Sequence, residues 1–222
     1  RGHVQSMRWR DLADALDEVP VHQTGQRRIE GSDRLQHLAP MHEAGPAGPF
    51  RNWPLGRGFE RFYGFMQGET DQFRPELVQD NHYVDAPARA EDGYHLSEDL
   101  VDRAIAYAAD HVSAAPERPF FTYLAFGACH APHQAPDAYL AKWRGRFDEG
   151  WDTMRERWFA RQKATGIVPA DTELPPRNPG VPAWAELGDD ERRFAARLME
   201  AFAAFLEHAD AQLGRYVEAL RE

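Results

Sequence analysis

The apolar run Phe120-Phe121-Thr122-Tyr123-Leu124-Ala125-Phe126 leads through Gly127 into Ala128-Cys129-His130-Ala131-Pro132-His133-Gln134-Ala135-Pro136. Its near-continuous apolar character fits a buried parallel strand covered on both faces. A helical pattern precedes it and others follow, so the fold class reads as α/β, a buried parallel strand flanked by helices. In open α/β sheets ligands bind beyond the carboxyl ends of the strands, where the two histidines stand. A lone strand cannot satisfy its own backbone groups. Together with a start at Arg1 and an end at Glu222 inside a helical pattern, this reads as the middle segment of a longer enzyme.

Before the strand, Ser97 has the character of an N-cap, with Glu98 and Asp99 in the first turn and a Leu96 to Val101 staple. That predicts a helix to about Val112 burying Leu100, Val101, Ala104, Ile105 and Ala108. After the strand, helices are expected near Asp137 to Trp143, from about Asp148 to Ala164, and from Gly188 onward. The last carries a stripe of Phe194, Leu198, Phe202, Phe205, Leu206, Ala209, Leu213, Val217 and Leu220, expected to pack on a sheet. Five prolines in residues 169–184 allow an extended crossing without regular elements. Residues 38–96 read as an irregular region packed through rings such as Trp53, Phe59, Phe62, Tyr63 and Phe65. Residues 1–36 read as an atypical, poorly ordered segment, apart from a short helical patch near Trp9 to Leu16.

Acidic residues outnumber basic ones 36 to 26, giving a formal charge of -10, which disfavours nucleic acid or an anionic membrane as partner. No apolar run approaches the ~18 to 20 residues of a membrane span. Cys129 is the only cysteine, so no internal disulfide can form, which fits a reducing compartment such as the cytoplasm.

His130 and His133 have H-x-x-H spacing, which supplies two metal ligands where a structural zinc wants four and a catalytic zinc about three. The alternative is that His130 hydrogen-bonds or protonates an anionic substrate, since an ordinary imidazole titrates near neutrality. Cys129 sits beside His130, but neighbours on an extended chain point to opposite sides, so it reads as a packed small residue rather than a nucleophile. His37, in Gln36-His37-Leu38-Ala39-Pro40, taken alone reads as a loop histidine. The carboxylate pairs Glu98-Asp99 and Asp189-Asp190 are explained by helix N-termini.

Several stretches in order resemble type I sulfatases, most of all bacterial arylsulfatases of the alkaline phosphatase superfamily. They are Gly58-Phe59-Glu60-Arg61-Phe62-Tyr63-Gly64-Phe65, Asp80-Asn81-His82, Gly93-Tyr94-His95-Leu96-Ser97-Glu98-Asp99-Leu100, Pro119-Phe120-Phe121 and His130-Ala131-Pro132-His133. Arg157-Trp158-Phe159-Ala160-Arg161-Gln162-Lys163 and Pro169-Ala170-Asp171-Thr172-Glu173-Leu174-Pro175-Pro176 add to them. The resemblance implies a partial alkaline-phosphatase-like fold, with residues 37–222 as the central part of a catalytic domain cleaving a small-molecule sulfate ester.

By the same resemblance, His37 corresponds to a histidine that positions the nucleophile, although the lysine that accompanies it in the family falls at Leu35. His130 corresponds to the histidine that contacts the sulfate and protonates the leaving oxygen, with Cys129 at a threonine position, and His133 to a supporting histidine. The family's formylglycine, formed from cysteine in Cys-x-Pro-Ser-Arg, and its calcium, held by aspartates and an asparagine, are implied for the parent enzyme. This sequence carries no such cysteine motif, and it also lacks the family's paired N-terminal aspartates and Asp-Asn-Gly strand, so metal ligands are assigned to none of its residues. Two alternatives stand beside the sulfatase: a phosphonate or phosphate monoester hydrolase of the same superfamily, and a catalytically inactive truncated product. A solitary zinc-binding module is more distant.

Overall fold

The computed structural model of the protein describes Ala39 and residues 41–221. Its sheet comprises β1 (Tyr63–Gly64), β2 (Leu77–Gln79) and β3 (His82–Val84), antiparallel in the order β1-β2-β3. Gln79 pairs with His82 across the two-residue turn Asp80-Asn81. Asp80 adopts φ 56°, a left-handed conformation that an aspartate tolerates better than most residues. From that corner it grips the residue before β1: its amide donates to the Phe62 carbonyl at 2.9 Å, and its Oδ1 accepts from the Phe62 amide at 3.0 Å.

Alternation along β2 divides the core, because successive side chains of a strand face opposite ways. Val78 joins Ala39, Trp53 and Met66 on one side, while Leu77 joins Tyr94, Leu96 and Leu100 on the other. Helix α1 (Leu96–Ala114) buries Leu96, Leu100, Val101, Ala104 and Ala108, with Ile105 half-buried. Asp99 is buried beside this face and accepts from the Tyr63 hydroxyl at 2.6 Å and the Tyr94 hydroxyl at 2.9 Å, tying β1 to α1. Burial, reinforced by this carboxylate, pushes both phenols up.

Helices α2 (Asp137–Trp143), α3 (Gly150–Ala164) and α4 (Asp189–Ala219) follow among the described residues. Ala204 and Phe205 of α4 pack with Tyr139, Leu140 and Trp143 of α2, and the alanines let the two helices approach closely. Polar bonds fix the approach: Glu207 accepts from Trp143 Nε1 at 2.6 Å, and the buried Glu200 accepts from the Gly145 amide at 2.6 Å. Helix α3 begins at Gly150, φ 83°, where a Cβ would lie 2.1 Å from the Trp184 ring, so only glycine fits.

Four expectations are corrected. The N-cap of α1 is His95 rather than Ser97: the His95 ring accepts from the Ser97 amide, and Ser97 is itself buried. Residues 120–126 make no ladder with any described residue, and Phe121 and Tyr123 are 71% and 70% exposed. The buried parallel strand therefore does not form among the described residues, because no neighbouring strand is there to accept it. The large apolar residues of α4 do not pack on a sheet: Phe194, Leu198, Leu206, Leu213, Val217 and Leu220 are exposed, while the helix buries Ala196, Ala203, Ala204, Ala209, Phe205, Tyr216 and several polar residues. Finally, the aromatic region of residues 38–96 contains the three short strands. Its rings Trp53, Phe62, Tyr63 and Phe65 pack as expected, but Phe59 is exposed.

Candidate functional site

The segment from Gly127 to Pro136 is a chain of turns held at both ends. The His130 amide donates to the Gly127 carbonyl at 2.8 Å, and the Gln134 amide donates to Pro132 at 2.9 Å. Gly127 lies so close to Gln72 that a Cβ would stand 2.7 Å from Gln72 Nε2. Pro136 opens α2, accepting from the amides of Tyr139 and Leu140. Ala135 is buried against Ala204 and Phe205.

Within these limits His130 is exposed. Its Nδ1 lies 2.7 Å from the Ala131 carbonyl and 3.3 Å from Glu69 Oε2. Two acceptors on one nitrogen assign the proton to Nδ1. That leaves Nε2 as the atom able to meet a ligand and, when the ring is protonated, to donate. His133 is half-buried, its ring edge-on to Phe202 at 5.5 Å. The two histidines are thus differently employed. Cys129 is half-buried and burial pushes its thiol up, against the direction a nucleophilic thiolate needs.

Behind this loop lies a buried polar group that sequence reasoning did not assign. The His95 ring packs 4.3 Å from that of His208, and His208 Nε2 lies 2.9 Å from Glu98 Oε1. His95 Nε2 lies 3.2 Å from the Gln134 carbonyl. The signal for His95 was its place immediately before Leu96 and three residues ahead of the acidic pair Glu98-Asp99, the position of a cap. For His208 it was a polar residue interrupting the apolar pattern of the last helix.

Burial, with His208 alongside, lowers the His95 pKa to about 4. The unfolded chain then binds the proton more tightly, so stability from this group is full above about pH 6.5 and is lost as pH falls from there toward 4. Urea unfolding midpoints measured across that window should fall with pH, and His95→Gln should flatten the decline. An unchanged slope in the variant would remove His95 as its source.

His37 lies outside the described residues, so its relation to His130 is not part of the geometry here. Among the described residues no three His, Cys, Asp or Glu side chains converge to hold a metal ion. The H-x-x-H pair therefore gathers no further zinc ligand there, and a calcium ion finds no ligand set. Nor does Cys129, followed by His130-Ala131-Pro132, fit the formylglycine precursor.

Compared with known families, residues 36–222 match the sulfatase family model. The chain belongs to the sulfatase family. This sulfatase chain is 32% identical over 182 residues to an arylsulfatase of Klebsiella aerogenes, covering 76% of the chain and 37% of that protein. It is 29% identical over 187 residues to an uncharacterised sulfatase of Schizosaccharomyces pombe, covering 76% of the chain and 32% of that protein. The chain therefore spans about a third of the length of these curated relatives. Among its described helices none is long and apolar enough to cross a membrane.

Proposed function

We propose that the protein acts as a sulfuric ester hydrolase of arylsulfatase type, and that residues 37–222 form the central part of its catalytic domain. The observation that carries this reading is His130: an exposed imidazole at the head of an anchored loop, bonded through Nδ1 so that Nε2 is left for a ligand. In this role protonated Nε2 contacts a sulfate oxygen and gives its proton to the leaving oxygen as the S–O bond breaks. His133 supports the loop through its packing on Phe202, and His37 belongs with the nucleophile. The family's formylglycine and calcium are assigned to segments outside this chain. In the whole protein residues 120–126 would take their place as a parallel strand of an alkaline-phosphatase-like sheet, a reading supported by their apolar, exposed side chains.

The test compares aryl sulfate and aryl phosphate hydrolysis by the protein expressed from its complete open reading frame, beside the 222 residues alone. Faster turnover of the sulfate by the whole protein, with none by the 222 residues, is expected. Faster turnover of the phosphate would transfer the assignment to the phosphate monoester hydrolases. Calcium-dependent turnover by the 222 residues would overturn the placing of the nucleophile and cation elsewhere.

A further inference from the structure

We infer that His95 is a positioning residue of the histidine loop: its Nε2–H, donated to the Gln134 carbonyl, fixes the segment that presents His130 and His133. The importance of that loop rests on the sulfatase reading above; the clamp itself rests on geometry. The Ser97 amide donates to His95 Nδ1 at 3.1 Å, so Nδ1 carries the lone pair and the proton sits on Nε2. That N–H faces the Gln134 carbonyl at 3.2 Å. A second proton on the ring would set Nδ1–H against the Ser97 N–H, so the geometry itself selects the neutral ring.

The ring has no room to turn. It is 2% exposed and stands edge-on to Phe73 at 5.1 Å, to Phe205 at 6.1 Å and to His208 at 4.3 Å. Its partner is equally fixed, because Gln134 is held at three points besides its own amide's bond to Pro132. Besides the carbonyl bond, its Oε1 accepts from the Gln72 amide at 2.6 Å and its Nε2 donates to Asp71 Oδ2 at 2.8 Å. The Leu96 amide donates to the Gln72 carbonyl at 2.8 Å, closing the circuit on the first turn of α1. The other end of the loop is pinned where Gly127 meets Gln72. The two histidines therefore lie between fixed points, and His95 joins the distal one to the rigid start of a helix.

Because the two ring nitrogens do separate jobs, two substitutions separate them. Asparagine places its oxygen near Nδ1 and is a good N-cap, so His95→Asn keeps the cap and loses the bond to Gln134. Glutamine extends an N–H near Nε2, so His95→Gln keeps that bond and weakens the cap. Amide hydrogen exchange of residues 130–134 in the 222-residue chain should quicken about tenfold in His95→Asn, the scale of one lost hydrogen bond, and return toward wild type in His95→Gln. Long-range nitrogen NMR of the wild type should show His95 as the neutral Nε2–H form, a readout that needs no variant to fold.

Equal protection in His95→Asn and wild type overturns the clamp, as does an Nδ1–H signature. In the complete protein His95→Asn should lower kcat on an aryl sulfate about tenfold at little changed KM, with His95→Gln recovering most of it. If the exchange contrast holds while the wild-type protein hydrolyses no aryl sulfate, the sulfatase reading falls and the clamp stands.

Discussion

Replacing His130 by alanine in the complete protein is expected to lower kcat on aryl sulfates by about 10² to 10⁴-fold, the usual contribution of a positioned general acid. The size of the loss should depend on the leaving group. A nitrophenol leaves readily as its anion and needs little help, whereas a phenol of high pKa needs the proton as the S–O bond breaks. The rate deficit should therefore widen steadily from nitrophenyl to unsubstituted and alkyl-substituted phenyl sulfates. Folding should be almost untouched, because the ring is exposed and its contacts are the Ala131 carbonyl next to it and the exposed Glu69. A substitution of this kind typically shifts stability by no more than about 0.5 kcal/mol. Rates within threefold of wild type across the whole series would end the assignment of His130 as the acid.

The second large effect is on stability. Trp53 is fully buried; its indole N–H donates to the Glu43 carbonyl at 2.7 Å, and its ring meets Phe50 at 4.9 Å and Tyr83 at 6.1 Å, both edge-on. Truncation to alanine should cost about 3 to 5 kcal/mol, a large share of the roughly 5 to 15 kcal/mol that holds a domain together. Trp53→Phe keeps most of the packing but strands the Glu43 carbonyl, so about 1 to 3 kcal/mol is expected. Urea unfolding of the three proteins measures both. A loss under about 1 kcal/mol in Trp53→Ala would show that the region around residues 39–84 adds little to the cooperative core.

The elements legible in the sequence were those with long periodic patterns. The helix after His95, the short helix from Asp137 and the long one from Asp189 all stand close to where periodicity, caps and acidic first turns placed them. The sheet was not legible, since strands of two or three residues carry too few alternations to register against a background of glycine, proline and aromatic residues. Helix α4 shows another limit. Its large side chains drew the expected buried stripe, yet it packs through Ala196, Ala203, Ala204 and Ala209, whose small size permits close approach but gives little hydropathy signal.

For the site, the sequence pointed to the loop of His130 and His133 but not to what holds it. His95, Gln72, Asp71 and Gln134 are ordinary polar residues spread over more than 60 positions, and only the tertiary fold brings them together. Composition and spacing have no access to a contact of that range.

The two apolar surfaces left open, residues 120–126 and the outer row of α4, have a practical consequence for anyone handling the chain. The first lies against α4, whose buried Tyr216 donates its hydroxyl to Thr122 Oγ1 at 3.0 Å. Water-facing surfaces of this kind favour contact with other apolar surfaces, including those of identical molecules. The net charge of -10 supplies the opposing repulsion. Colloidal behaviour is thus a contest between stickiness and charge, and added salt, by shortening the reach of the charge, tips it toward clustering.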